Sequence, residues 1–211
     1  MDSHQTPTDQ NTPRELLNEF YLKNNLGQDG GNSEPYVRIE LYKNISIYFP
    51  NFDARRKVVL KHDVHHLLTG YSTVLKGETE ISAWELASGC SRYPAAFAIN
   101  LHGMMMGVPF NLKGIFKAFV KGRRTKNLYA DPFTNEEALD MPIADLRKYL
   151  LLDTYKDARS TLADWFGFIG MLFLGALNSL LSLILLPVIG LYTLYVLITH
   201  RKSQRVPLGN P

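Results

Sequence analysis

Cysteine is almost missing from this chain: Cys90 stands alone among 211 residues. That excludes an internal disulfide and any zinc cluster built on thiolates, and it fits a reducing compartment. A lone cysteine of this kind reads as a small buried apolar residue. Acidic residues are missing from the last 47 positions, since all 20 of them precede Trp165, together with 20 of the 23 basic residues. The first 164 residues are therefore formally neutral, and the net charge of +3 comes from Arg201, Lys202 and Arg205. A neutral domain lacks the electrostatic footprint that a nucleic-acid backbone demands, so no nucleic-acid partner is expected. The N-terminal segment has neither the apolar stretch of a secretory signal nor the arginine-rich amphipathic pattern of a transit peptide, and it carries Asp2 and Asp9 instead. Cytosolic synthesis without export is the simplest expectation.

Charge is also missing from the whole of Trp165 to Thr199. As one helix these 35 residues would extend about 52 Å, against an apolar bilayer core of about 30 Å. A core helix of that length would need an enclosing shell that this chain does not have, so the stretch reads as a membrane attachment. Asn178-Ser179 and Pro187 interrupt it. Basic residues flank both ends, Lys156 and Arg159 before it and Arg201, Lys202 and Arg205 after it. Such flanks fit a hairpin returning to the same face or one strongly tilted span, and the positive-inside rule favours the hairpin. The soluble part would then lie on the cytoplasmic side, and the basic tail could meet anionic lipid.

The remaining pattern predicts a mainly α fold with a small β-hairpin near the N-terminus. Residues 1–13 read as disordered, Pro13 to Leu22 as a short amphipathic helix, and the glycines from Gly27 onward as a linker. Tyr36 to Tyr42 and Ile45 to Phe49 alternate as two strands joined at Lys43-Asn44. Helical periodicity runs from Arg55 to Thr69, where Gly70 supplies a C-cap, and again from Thr73 to Ser88. Pro94 to Met106 and Asn111 to Val120 read as two further helices with Gly107-Val-Pro109 as a breaker. Asn127 to Phe133 reads as loop, and a last soluble helix starts at Met141-Pro142. The domain boundaries follow: 1–34 N-terminal region and linker, 35–164 helical metal-binding domain, 165–199 membrane segment, 200–211 basic tail.

Within His62-Asp63-Val64-His65-His66, helical spacing puts His62 and His66 on one face with Asp63 beside them, inside an arc of about 100°. Two imidazoles and a carboxylate suit zinc, iron or another first-row divalent ion. Glu78 follows twelve residues after His66, and a turn at Thr69 to Ser72 would bring it back on an antiparallel helix, with Gly77 allowing close approach. On spacing alone, an ordinary polar helix face explains these residues as well as a metal site does.

His-Asp, two residues, His, eleven residues, Glu resembles the signature of the ubiquinone (coenzyme Q) biosynthesis protein Coq-four family. Leu67-Leu-Thr-Gly70, Leu75-Lys-Gly-Glu78 and Trp84-Glu-Leu-Ala-Ser-Gly89 are similar to that family's helix pair. Gly122-Arg-Arg-Thr-Lys126 and Met141-Pro-Ile-Ala-Asp-Leu-Arg147 are similar to its later segments. The resemblance covers about residues 55 to 152 and implies a divalent metal, zinc in the usual assignment, on His62, Asp63, His66 and Glu78, with those residues also catalytic. It implies a polyprenylated quinone precursor or related lipid as substrate, work at the membrane, and oxidative decarboxylation that replaces the ring carboxylate by a hydroxyl. It equally implies a non-enzymatic alternative, a metal-stabilised lipid-binding or scaffolding protein that meets other quinone-biosynthesis proteins, with homo-oligomers allowed. A metal-dependent hydrolase of lipid-like substrates is a third reading. The short helix, linker and hairpin at the N-terminus and the apolar tail depart from the family's pattern.

Beyond the signature, Glu85 lies seven residues after Glu78 on the same face and reads either as orienting a ligand or as a rim carboxylate. His65 and Glu80 read as solvent-facing. Met104-Met-Met106 with Phe97, Phe110, Ile115, Phe116 and Phe119 suits a lipid-tail groove or plain core packing. Lys117, Lys121, Arg123, Arg124 and Lys126 suit lipid headgroups or a solvated helix end. Arg147 is expected to pair with a carboxylate that supports the fold.

Overall fold

The computed structural model describes residues 10–24, 26–27, 29–42, 45–130, 134–156 and 159–200, with backbone alone at 39–42, 45 and 200. The fold is mainly helical with one antiparallel hairpin, as the pattern predicts. The disorder expected over 1–13 is corrected at its end, where Thr12 caps and Pro13 opens a helix; residues 1–9, the Lys43-Asn44 connection, 131–133 and 201–211 lie outside the described residues.

Helix α1 (Pro13–Lys23) opens with a complete capping box, in which the Thr12 hydroxyl accepts from the Glu15 amide while Glu15 accepts from the Thr12 amide. Strands β1 (Tyr36–Tyr42) and β2 (Ile45–Pro50) pair from Tyr36↔Pro50 to Tyr42↔Ile45, with a register shift between Glu40 and Tyr42. Helix α2 (Asp53–Thr69) stops at Gly70, whose φ of 74° is open to glycine at little cost, and α3 (Leu75–Ser88) follows.

The predicted break at Gly107 to Pro109 is a kink rather than an interruption. Helix α4 (Pro94–Gly122) spans 29 residues, and only Asn111, at φ −137° and ψ 29°, leaves helical geometry. Pro109 removes one backbone donor, and the Asn111 side chain donates to Glu80 Oε1 at 3.0 Å, fastening the bend to α3. Small residues let α3 and α4 press together. A side chain at Gly103 would collide with Ser82, and one at Gly107 with Thr79. The short helices α5 (Asn135–Asp140) and α6 (Ile143–Tyr149) complete the domain, and Arg147 of α6 grips Asp153 while donating to the carbonyl of Leu68.

The C-terminal hairpin reading is corrected. Leu162–His200 is a single 39-residue helix, α7. The residues expected to turn the chain are satisfied without a turn: Asn178 Nδ2 donates to the Ala98 carbonyl at 3.1 Å and pairs with His102 Nδ1 at 2.6 Å on α4. Phe116 stacks on Trp165 at the other end of this contact, so α7 runs antiparallel to α4. Beyond α4 the helix meets the hairpin, where the Tyr48 amide donates to Thr193 Oγ1 at 3.0 Å. Among the described residues one helix, Leu162–Thr199, is long and apolar enough to cross a membrane, and only 6% of an apolar 18-residue window in it is buried. That exposure separates it from a core helix, which would hide most of its length.

Candidate metal centre

Helix α2 supplies His62 and His66 one turn apart, and α3 presents Glu78 in its first turn. The turn between them is tight enough that a Cβ at Gly77 would collide with the backbone of Ser72. The close approach expected of Gly77 is therefore to the turn. It lets Glu78 face the end of α2.

The result is a triangle of side chains closed through both oxygens of one carboxylate. His62 Nε2 lies 3.2 Å from His66 Nε2 and 3.3 Å from Glu78 Oε2, while His66 Nε2 lies 3.2 Å from Glu78 Oε1. A tetrahedral cation with bonds of about 2.0–2.1 Å sets its ligand atoms about 3.3–3.4 Å apart; the edge between the imidazoles is close to that, and each imidazole meets its own Glu78 oxygen at a similar spacing. The far ring nitrogens are also committed. His62 Nδ1 donates to Glu85 Oε1 at 2.9 Å, and His66 Nδ1 donates to the Tyr71 carbonyl at 2.8 Å. With those protons fixed on Nδ1, loss of any Nε2 proton would leave each ring's Nε2 lone pair turned inward, as metal ligation requires. His62, His66 and Glu78 can hold a metal ion.

Asp63 is not part of that triangle. Its Oδ2 accepts from the Tyr21 hydroxyl of α1 at 3.0 Å, although its side chain lines the same cavity. Burial pushes its carboxyl up to about 6, against the opposing pull of His62 and the Tyr21 hydrogen bond. Glu78 behaves oppositely: burial works against its charge, but the hydrogen bonds from His62 and His66 outweigh it and draw the carboxyl down to about 2. For His62, burial opposes the imidazolium, yet Glu85 and Glu78 more than offset it and hold the ring well above its ordinary range.

No known family model, curated protein or solved structure matches this chain.

His65 overturns its solvent-facing reading. It is fully buried, with Nδ1 donating to Glu85 Oε1 at 2.6 Å and Nε2 accepting from the Leu128 amide at 2.9 Å. Burial lowers its pKa, which keeps it neutral. Glu85 is no rim carboxylate either, being fully buried between two imidazoles and Asn100. Helical period alone could not have found this, because burial of His65 depends on α3, which supplies Glu85 and Trp84, and on the loop after α4, which supplies the Leu128 amide and Tyr129. Glu80 is half-buried and holds the α4 kink.

The cavity over the triangle measures about 240 Å³, and its apolar wall includes Leu26, Val58, Ala96 and Ile99. The Met and Phe run does not line it: Met104, Ile115 and Phe119 are core, while Met106 and Phe110 face outward. Arg123 and Arg124 are committed to Asp164 at 2.9 and 2.7 Å, which ties α7 to the end of α4. Cys90 is buried, as its isolation suggested.

Proposed function

We propose that this chain is a membrane-attached metalloprotein that oxidatively decarboxylates a polyprenylated aromatic quinone precursor. Carbon dioxide would leave the ring and one oxygen atom from dioxygen would enter as hydroxyl in its place, while the other would leave as water, with two electrons from an external reductant and two protons from solvent. The observation that carries the metal half is the convergence of His62 Nε2, His66 Nε2 and the two Glu78 carboxylate oxygens at 3.2–3.3 Å, with both Nδ1 atoms engaged elsewhere. Three protein donors leave positions open for substrate, the pattern of a catalytic rather than a purely structural site.

The similarity of residues 55 to 152 to the Coq-four family supports the reaction. Cavity size supports the substrate class: about 150 Å³ suffices for benzene, so a space of about 240 Å³ takes one substituted ring and leaves a polyprenyl tail outside. The apolar α7 supports work beside a bilayer, where such a tail would lie.

When bound, the metal would act as a Lewis acid on the ring oxygens. Two imidazoles with one carboxylate suit zinc and also iron(II) centres that use dioxygen. Zinc has no redox chemistry, so an oxidative reaction favours iron here. Around the ring, Val58, Ala96 and Ile99 would form an apolar wall, and Asp63, whose carboxyl burial raises in the metal-free protein, lines the same cavity as a proton-exchanging group.

The test is full-length protein in detergent, loaded with iron(II) or zinc, given a prenylated hydroxybenzoate and a two-electron reductant such as ascorbate, with and without oxygen. Carbon dioxide release with iron and oxygen together is expected, and equal metal content in wild type and His66→Ala would refute the centre. Retention of the lipid without turnover by metal-replete protein would instead support the scaffolding role. Oxygen-independent product formation would point to hydrolysis.

A further inference from the structure

We propose that Glu85, although not a ligand, is the residue that positions His62 for the metal, and that His65 and Asn100 hold Glu85 in place. The proposal rests on the metal reading above. A carboxylate with no exposed surface must be fully hydrogen-bonded to persist. Glu85 meets that demand with three donors: His62 Nδ1 at 2.9 Å and His65 Nδ1 at 2.6 Å on Oε1, and Asn100 Nδ2 at 2.5 Å on Oε2.

His65 is pinned from its far side. The Leu128 amide donates to His65 Nε2, so that nitrogen carries no proton and the ring proton sits on Nδ1, aimed at Glu85. Its plane is wedged edge-on against Trp84 and Tyr129, each with ring centroids 5.1 Å away. Asn127 Nδ2 donates to the Glu85 carbonyl at 3.0 Å, which fixes the backbone as well. The chain of contacts runs from the Leu128 amide through His65 and Glu85 to His62, and ends on the Nε2 atom that faces His66 and Glu78. It fixes the protonated nitrogen of His62, orients the ring and makes Nε2 a stronger donor. It also places a second negative charge at the site, so that Glu78 and Glu85 together balance one divalent cation.

Zinc affinity of the full chain by chelator competition, together with the visible spectrum of the cobalt(II) form, tests this for wild type, Glu85→Gln and Asn100→Ala. Glu85→Gln should weaken zinc binding by about 10–100-fold and shift the cobalt bands. Asn100→Ala, which keeps the charge, should weaken binding less. Wild-type affinity and an unchanged cobalt spectrum in Glu85→Gln would overturn the role of Glu85 alone, whereas a wild type that takes up no metal would overturn the centre itself. Imidazole ¹⁵N spectra of the zinc-loaded wild type test the geometry without any variant. Protons on Nδ1 of both His62 and His65 are expected, and a proton on Nε2 of either would overturn it.

Discussion

His62 and Asp63 are adjacent in the chain and end in different surroundings, one in a triangle of ligand atoms and the other under a tyrosine hydroxyl. The difference sets distinct expectations. Tyr21→Phe removes a buried hydrogen bond to a carboxyl and should cost about 1–3 kcal/mol in urea denaturation while leaving metal content unchanged. The pH dependence of the metal-free fold has two opposing limbs. Glu78, drawn down to about 2, stabilises the fold above its ordinary value of 4.5, and that contribution fades as pH falls from 4.5 through about 2. His62, raised well above 6.5, stabilises the fold fully below 6.5, and that contribution is lost as pH rises through its raised value. The urea midpoint of metal-free protein should therefore decline on both sides of an intermediate maximum. Zinc must displace the His62 proton, so its affinity should rise with pH across neutrality. Calorimetry in buffers of different ionisation enthalpy should show proton release on binding.

At the scale of elements, the α2 to α3 connection decides whether Glu78 reaches the histidines. Gly77→Ala forces a methyl group into the backbone of Ser72 and should cost about 1–3 kcal/mol while weakening metal binding, measured by thermal unfolding and zinc titration. The α4 to α7 contact is polar at chosen points, with Asn178 on His102 and Ala98 midway and Asp164 between two arginines at its start. Asn178→Leu should loosen that contact by about 0.5–1.5 kcal/mol, the usual net range for one hydrogen bond, and should speed proteolysis near the α7 start. Periodicity and turn residues placed α1, α2 and α3 to within a few residues and found both strands, because strand alternation and the glycines that end α2 and α3 are local features of the chain. It divided α4, since proline and glycine weaken a helix locally and cannot report the partner helix that restores it.

For the molecule as a whole, about 58 Å of α7 exceeds a bilayer core of about 30 Å, and the length is shared between α4, the hairpin and the exposed stretch around Leu180 to Leu186. A charge in that stretch should oppose insertion. Ile184 is 71% exposed, and Ile184→Arg should cost about 2.5–3.5 kcal/mol of insertion, moving the protein toward the soluble fraction on cell fractionation with metal content intact. Unchanged carbonate-resistant membrane association in that variant would count against a spanning α7.

Helices α1, α2, α3 and α6, the hairpin, the apolar stretch and the pair His62 and His66 were legible in the order of residues, because hydrophobic period and i, i+4 spacing are local properties of the chain, whereas the six-residue α5 is too short to show a period. Tertiary structure alone decided that Asp63 turns to Tyr21, that His65 is buried, that Glu85 carries the hydrogen bonds of two imidazoles, and that α7 continues past Asn178. Each of those outcomes depends on a partner from a distant segment, α1, the loop at Leu128, or α4. A buried polar group takes whichever partner the fold brings within hydrogen-bond reach, and local spacing holds no record of that partner.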